Sequence, residues 1–180
     1  MTHPHVPADL AATFVRLFQS ISQKIKGAVK RLLRKEISRE ARWNTTAHVE
    51  VPENERLSFF PDFFGSRLML RGEALVYAWL RRLSKDYDGG LWLFYIVSNG
   101  ARYMAPASKQ RHRLLVPGNG FDDEVSADAA GIIATLFALG QLAAENYEKD
   151  EGDALIEHYH ALREFAGQHA EAAPILAAID

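Results

Sequence analysis

SADAAGIIATLFALGQLAAE, residues 126–145, is the stretch that decides the fold. Its large apolar residues recur at helical spacing with small residues between them, so the stretch is apolar nearly all round. This pattern is typical of a helix buried in a core. Ser126 is a favourable N-cap, and Asp128 places an acid at the positive end of the helix dipole. Because Gly131 and Gly140 cost helix stability, we expect another element to approach closely there.

The chain before this helix predicts a β-hairpin. LWLFYIVS at 91–98 and ARYMA at 101–105 flank Asn99-Gly100, which favours a two-residue type I′ turn because both positions accept positive φ. HRLLVPG at 112–118 is a further strand candidate, and GNGF at 118–121 indicates a plain turn. The prediction is an α+β fold, in which a small antiparallel sheet of three or four strands packs against several helices.

Earlier segments add a strand, an aromatic anchor and a helix. Alternation over Thr45–Val51 predicts a half-buried strand that ends at Pro52. In LSFFPDFFG at 57–65, Pro61 argues against a continuous helix, so we expect four phenylalanines to anchor a loop on the core. Gly72 then interrupts the chain before a helix over Glu73–Leu83. Two more helices are predicted, over about 152–167 and over a short stretch ending at Ile179.

Charge is distributed unevenly along the 180 residues. Residues 1–42 contain nine Lys/Arg and three Asp/Glu, a net charge of +6, whereas the rest of the chain carries −8. The basic part has a helical apolar stripe from about residue 8 to 38. This predicts two units, an N-terminal amphipathic helical extension over 1–42 and a main domain over 43–180. The helix could pack on its own domain or on a second copy, or it could bind nucleic acid or an anionic membrane.

The chain lacks the usual signals of catalysis and metal binding. It contains no cysteine, so disulfides and thiolate zinc sites are unavailable and a reducing cytoplasm is expected. The start resembles no signal peptide, and no apolar stretch predicts an integral membrane segment. His158 and His160 diverge on a helix, and the acids at 122–124 lack calcium-loop spacing, so we expect a solvated acidic turn. We predict no catalytic residue, no metal site and no cofactor.

Several blocks in one order resemble the ArdB/KlcA family of plasmid-borne antirestriction proteins. They are RLSFFPDFFG at 56–65, RLMLRGEALVYAWLRRL at 67–83, SNGARYMAP at 98–106, SADAAGIIATLFALGQLA from Ser126, and LREFAGQHAEAAPILAAID at 162–180. The resemblance implies protection of incoming unmodified DNA from a host type I restriction-modification system, directly or indirectly. It also implies action without catalytic residues or a cofactor, and it does not extend to the first ~45 residues.

Arg67, Arg71, Glu73 and Tyr77, within one of these blocks, are the candidates for a partner-facing surface. Glu73 and Tyr77 are four residues apart and share a helix face, although Tyr77 could equally support the core. Three mechanisms remain open from sequence: an interaction protein that blocks or diverts the restriction complex, a DNA mimic, or a DNA-binding module that uses the basic N-terminal helix. The mimic is disfavoured because the acids are few and interrupted by apolar helices. The sequence leaves the oligomeric state open.

Overall fold

The computed structural model describes residues 47–180, so the predicted basic helix within 1–42 lies outside the described residues. The described part is α+β, as predicted. Its strands are β1 (His48–Glu50), β2 (Trp92–Val97), β3 (Arg102–Pro106), β4 (Arg111–Val116) and β5 (Phe121–Ser126). Its helices are α1 (Arg56–Phe64), α2 (Met69–Leu83), α3 (Ala127–Glu145), α4 (Asp150–Ala166) and α5 (Ala172–Ile179), with a 3-10 turn at Glu53–Glu55.

The strands form two small antiparallel sheets. β1, β2 and β3 pair in that order, while β4 pairs with β5 in a separate ribbon. The prediction of one sheet with three or four strands is therefore correct for three strands and wrong in not separating β4. The chain reverses after β4 in the predicted plain turn, where Gly120 has a φ of 77° and donates its N–H to Val116. The expected acidic turn at 122–124 is wrong, because these residues belong to β5.

Helix α3 is the buried core helix that the sequence predicts. Leu136 and Leu139 on α3 are almost fully buried, and Ser126 caps the helix by accepting the Ala129 N–H at 3.1 Å. The helix also covers the free edge of β3, where the outward Met104 N–H donates to the Thr135 hydroxyl at 3.4 Å. By length and composition α3 could cross a membrane, contrary to the sequence expectation, but most of it is buried inside the fold.

The hairpin between β2 and β3 forms as predicted, but its turn type differs. The loop has three residues, 98–100, because Val97 N–H pairs with the Ala101 carbonyl at 2.8 Å. The sequence predicts a positive φ at both Asn99 and Gly100, but only Gly100 has one, at 91°. The expected two-residue type I′ turn is therefore wrong. The Asn99 amide is instead used as a tether, donating to the Ala161 carbonyl of α4 at 2.8 Å.

Two expected breaks lie inside helices. Pro61 is within α1, where the lost hydrogen bond would involve the Leu57 carbonyl; Leu57 is 92% exposed, so water can satisfy this group. Burial of Phe59, Phe63 and Phe64 holds the short helix on the core, as expected of an aromatic anchor. Gly72 is within α2 because its missing side chain admits the Phe64 ring.

Candidate partner surface

Two of the predicted residues, Arg67 in the turn before α2 and Arg71 in the first turn of α2, contact the junction of α3 and α4. Arg67 Nη1 donates to Glu151 Oε1 at 2.7 Å. Arg71 makes two hydrogen bonds to the Glu145 carboxylate, at 2.7 and 3.3 Å. The pairing is geometrically specific because a planar guanidinium grips both oxygens of one carboxylate. Both arginines remain more than half exposed, so the pairs lie on the surface.

The Arg71–Glu145 pair belongs to a longer chain of hydrogen bonds, called here the Arg71 network. Gln141 Nε2 donates to Glu145 at 2.7 Å, and Trp79 Nε1 donates to Gln141 Oε1 at 2.9 Å. Hydrogen bonds from Arg71 and Gln141 lower the pKa of the Glu145 carboxyl. The Arg71 network therefore presents a fixed, ionised surface from Arg71 to the Trp79 ring.

Glu73 and Tyr77 lie on the opposite flank of α2. Glu73 is two residues from Arg71, which turns it by about 200° around a helix. The Tyr77 hydroxyl donates to Glu73 at 2.9 Å, and the Tyr77 ring packs on Trp92 with centroids 4.9 Å apart. Burial first, and then the Glu73 carboxylate, raise the pKa of Tyr77 well above its ordinary value. The four predicted residues thus do not form one surface. Arg67 and Arg71 contact the α3–α4 junction, whereas Glu73 and Tyr77 contact each other beside Trp92.

An apolar cleft of about 280 Å³ lies beside the Arg71 network. The Trp79 and Phe137 rings stack there at 4.7 Å, and the Arg82 guanidinium lies 5.0 Å from the Trp79 ring centroid. Aromatic and arginine side chains next to an apolar depression are characteristic of protein-binding surfaces. The full lining is Trp79, Leu136, Phe137, Gly140, Gln141, Tyr159 and Ile179.

This surface also includes Phe137, Gln141 and Glu145, which the sequence alone does not identify as surface residues. They are spaced by four residues along α3, so the helical period alone places them on one stripe. The sequence does not reveal that stripe, because the apolar character of α3 predicts a buried side chain at Phe137 as well. The structure leaves the Phe137 side chain partly exposed.

A second cluster joins residues that are far apart in the chain. Asp128 accepts hydrogen bonds from the Tyr103 hydroxyl and from His169 Nε2, both at 3.0 Å. His169 Nδ1 in turn accepts the Glu171 N–H at 2.9 Å. Both imidazole nitrogens are thus engaged, which leaves no ring nitrogen to activate a hydroxyl. Sequence separations of 25 and 41 residues concealed the cluster.

The other residues considered for chemistry have structural contacts. His158 packs edge-on against Phe63, with ring centroids 5.3 Å apart, whereas His160 is exposed on the surface of α4. Asp122 forms an ion pair with Arg113 at 2.7 Å across the β4–β5 ribbon. Within residues 47–180, no group of three or more His, Asp or Glu side chains is arranged to hold a metal ion.

Comparison with known proteins places this architecture among close relatives. The family profile described as "Antirestriction protein" matches residues 85–180. Two Escherichia coli proteins named antirestriction protein KlcA are similar to the chain. One is 60% identical over 130 residues, covering 72% of this chain and 92% of that protein; the other is 57% identical over 132 residues, covering 72% and 90%.

The fold has a solved counterpart. A structure of the KlcA and ArdB proteins aligns with a TM-score of 0.71 and 57% sequence identity, covering 76% of this chain and 96% of that chain. Those proteins are described as having a novel fold and antirestriction activity against type I DNA restriction systems in vivo but not in vitro.

Proposed function

Because this chain belongs to the KlcA/ArdB family of antirestriction proteins, we propose that it relieves type I restriction of incoming unmodified DNA by non-catalytic interaction with another protein in the cytoplasm. The observation that carries the proposal is 60% identity across 92% of a KlcA protein. The proposed partner is a component of the restriction-modification system or a protein that acts on it.

The contact geometry favours interaction over catalysis. The Arg71 network and its apolar cleft offer charge, aromatic surface and a depression in one place, which suits recognition of a protein. In the cluster of Asp128, Tyr103 and His169, both ring nitrogens of His169 are engaged, one with Asp128 and one with the Glu171 N–H, so neither is free to activate a hydroxyl or a water. Relief in vivo but not in vitro by the KlcA and ArdB proteins fits an action that requires a further cell component.

DNA mimicry is a weaker explanation of the same activity. A mimic needs a regular array of free carboxylates in place of phosphates. Here arginines pair with carboxylates on several elements, which neutralises the array locally. The pairs join Glu50 to Arg56, Glu151 to Arg67, Glu145 to Arg71, Glu171 to Arg111, Asp122 to Arg113 and Asp180 to Arg163.

A plating experiment tests the proposal. Unmodified and modified phage are plated on cells that carry an active type I system, with and without the protein. We expect the protein to raise plating of unmodified phage and to leave modified phage unchanged. Equal plating of unmodified phage with and without the protein, across several type I systems, would sink the proposal. DNA cleavage by a purified type I endonuclease is then measured with the protein alone and with the protein plus cell extract. Inhibition that appears only with the extract would show that a further cell component is required.

DNA binding by residues 1–42 is a second candidate function. Its support is the net charge of +6 in that segment, against −8 in the rest of the chain. Binding through phosphates would weaken steeply as salt rises, because counterions are released on association. A salt titration of DNA affinity tests this function separately from restriction relief.

A further inference from the structure

A pocket of about 310 Å³ opens on the face of the β1–β2–β3 sheet, apart from the Arg71 network. Leu93 and Tyr95 of β2, Ala105 and Pro106 of β3, the segment 107–109, and Asp128 of α3 line it. This volume lies at the lower limit for ligand pockets, about 300 Å³, so the pocket suits one side chain better than a whole cofactor. Its carboxylate and aromatic ring determine which side chain fits.

The hydrogen bonds of the cluster give Asp128 no lysine or arginine partner. His169 Nδ1 accepts the Glu171 N–H, so the ring proton is on Nε2, where it is donated to Asp128. An imidazole with one accepting and one donating nitrogen is neutral. The Tyr103 hydroxyl, the other donor, is neutral as well. The two donors therefore orient the carboxylate, and neither of them is a lysine or an arginine.

The surroundings keep Asp128 ionised. Burial alone would raise its pKa, but the hydrogen bonds from His169 and Tyr103, together with the electrostatic effects of His48 and His169, outweigh burial and lower the pKa below the ordinary value. The position of Asp128 in the first turn of α3 also favours negative charge. Among residues 47–180, no lysine or arginine forms an ion pair with Asp128. Lys109, at the pocket rim, is exposed.

An aromatic wall stands beside the carboxylate. The Tyr95 ring stacks on Tyr103 with centroids 4.8 Å apart and an interplanar angle of 17°. His48 contacts the Tyr95 ring edge-on at 5.2 Å. These contacts fix the Tyr95 ring, which stays partly exposed. An ordered ring next to a carboxylate that has no lysine or arginine partner among residues 47–180 attracts a cation both through the ring quadrupole and through charge.

We propose that this pocket binds the cationic group of an arginine or lysine side chain of a protein partner. The carboxylate would accept hydrogen bonds from the cation on the lone pairs that Tyr103 and His169 leave free, and Tyr95 would pack against the side-chain stem. The inference rests on the proposed function in taking the partner to be a protein. The chemistry of the pocket does not depend on restriction relief.

The test is a titration of the isotope-labelled full-length protein, followed by amide NMR shifts, with N-acetyl-arginine amide as the probe. N-acetyl-citrulline amide, which is close in shape but uncharged, is the matched ligand. We expect saturable shifts at Tyr95, Ala105 and Ser108 with the arginine probe, at a dissociation constant on the order of 1 mM. Equal shifts with citrulline, or no saturable shifts with arginine or lysine amides, would overturn the proposal.

Two variants locate the binding site. Asp128→Asn removes the charge and should raise the dissociation constant of the arginine probe at least about tenfold. Asp122→Asn, on the surface of β5, should leave this constant unchanged. Because Asp128→Asn could disturb folding, Ala107→Trp provides a second variant that fills the exposed mouth of the pocket without touching the cluster. Undiminished arginine binding in folded Ala107→Trp would show that the pocket is not the site.

Phage plating then tests the partner role. The NMR titration needs no restriction system, so its outcome is independent of whether the wild-type protein relieves restriction. If the wild type does relieve it, Ala107→Trp should reduce the relief while Asp122→Asn retains it. Full relief by an Ala107→Trp protein that no longer binds the probe would overturn the role of this pocket in partner binding.

Discussion

Gly131 of α3 lies directly against the backbone of Met104 in β3. A Cβ at position 131 would lie 2.5 Å from Ala105 Cα and even nearer to the Met104 carbonyl oxygen. The glycine therefore sets the distance between the core helix and the sheet edge that it covers. Because Asp128 is one turn earlier on α3, the same approach positions its carboxylate at the pocket beside Tyr95.

Gly131→Ala should destabilise the protein. Overpacking against backbone costs about 1–3 kcal/mol, which exceeds the gain of up to about 1 kcal/mol from replacing glycine in a helix. The matched control is Gly140→Ala in the same helix, where the added Cβ would meet Tyr159 at an ordinary 4.0 Å. We expect Gly140→Ala to be neutral or stabilising in urea denaturation. Equal midpoints for the two variants would contradict the close approach at Gly131.

Leu136→Ala and Phe137→Ala should differ, although both side chains are large and adjacent. Leu136 is 1% exposed, so its truncation should cost about 2–5 kcal/mol of unfolding free energy. Phe137 is partly exposed at the cleft and stacks on Trp79, so its truncation should cost less. Urea denaturation measures both. A larger loss for Phe137→Ala would show that the cleft belongs to the core.

Local patterns predicted the elements better than their partners. The core helix, its Ser126 cap and the strand at 112–116 depend on nearby residues, so their sequences suffice. The assignment of β4 to its own ribbon depends on β5, whose exposed acids hide a strand pattern. The sequence predicts breaks at Gly72 and Pro61 because it does not show the contact of Gly72 with Phe64 or the exposure of Leu57.

The candidate site shows the same limit. Helical spacing correctly placed Glu73 beside Tyr77, a contact within one element. The ion pair of Arg71 joins residues 74 positions apart, and the Asp128–His169 contact spans 41. Such contacts depend on how helices and strands pack, which a local pattern does not specify.

Arg71→Ala should reduce restriction relief about tenfold, as expected of a central interface arginine, while the protein stays folded. The Arg71 network would lose its guanidinium, and Glu145 would keep the hydrogen bond from Gln141. Arg113→Ala is the matched control, because Arg113 is also an exposed arginine paired to a carboxylate at 2.7 Å. Phage plating should separate the two variants. Full relief by a folded Arg71→Ala protein would remove the Arg71 network from the site.

The unfolding free energy should fall on acidification between about pH 7 and 5, a window in which histidines titrate. Burial, together with the Arg102 guanidinium, lowers the pKa of His158, and burial also lowers the pKa of His112. A lowered pKa in the folded state means that stability is complete above the unfolded value of about 6.5. That stability is lost as the pH falls through the folded pKa.

His158→Gln should flatten this pH dependence, whereas His160→Gln at an exposed position should keep it. Urea midpoints measured at several pH values across the window check the effect. Because His112 contributes with the same sign, some dependence should remain in the His158 variant. A pH profile of His158→Gln identical to that of the wild type would show that His158 does not contribute to it.

Deletion of residues 1–42 should leave restriction relief intact and remove salt-sensitive DNA binding. One KlcA protein is matched over 92% of its length by 130 residues of this chain, so we expect the proposed restriction relief not to need all 180 residues. If the basic segment binds DNA, the nine Lys/Arg of residues 1–42 would supply the phosphate contacts, each of which would contribute about −0.9 to the slope of log affinity against log salt. A full-length variant with Lys30, Arg31, Arg34 and Lys35 changed to Gln is the matched control, and it should flatten the salt slope without shortening the chain. Loss of restriction relief in a folded deletion variant would show that the basic segment contributes to the activity. Unchanged DNA affinity in both variants would show that the basic segment does not bind DNA.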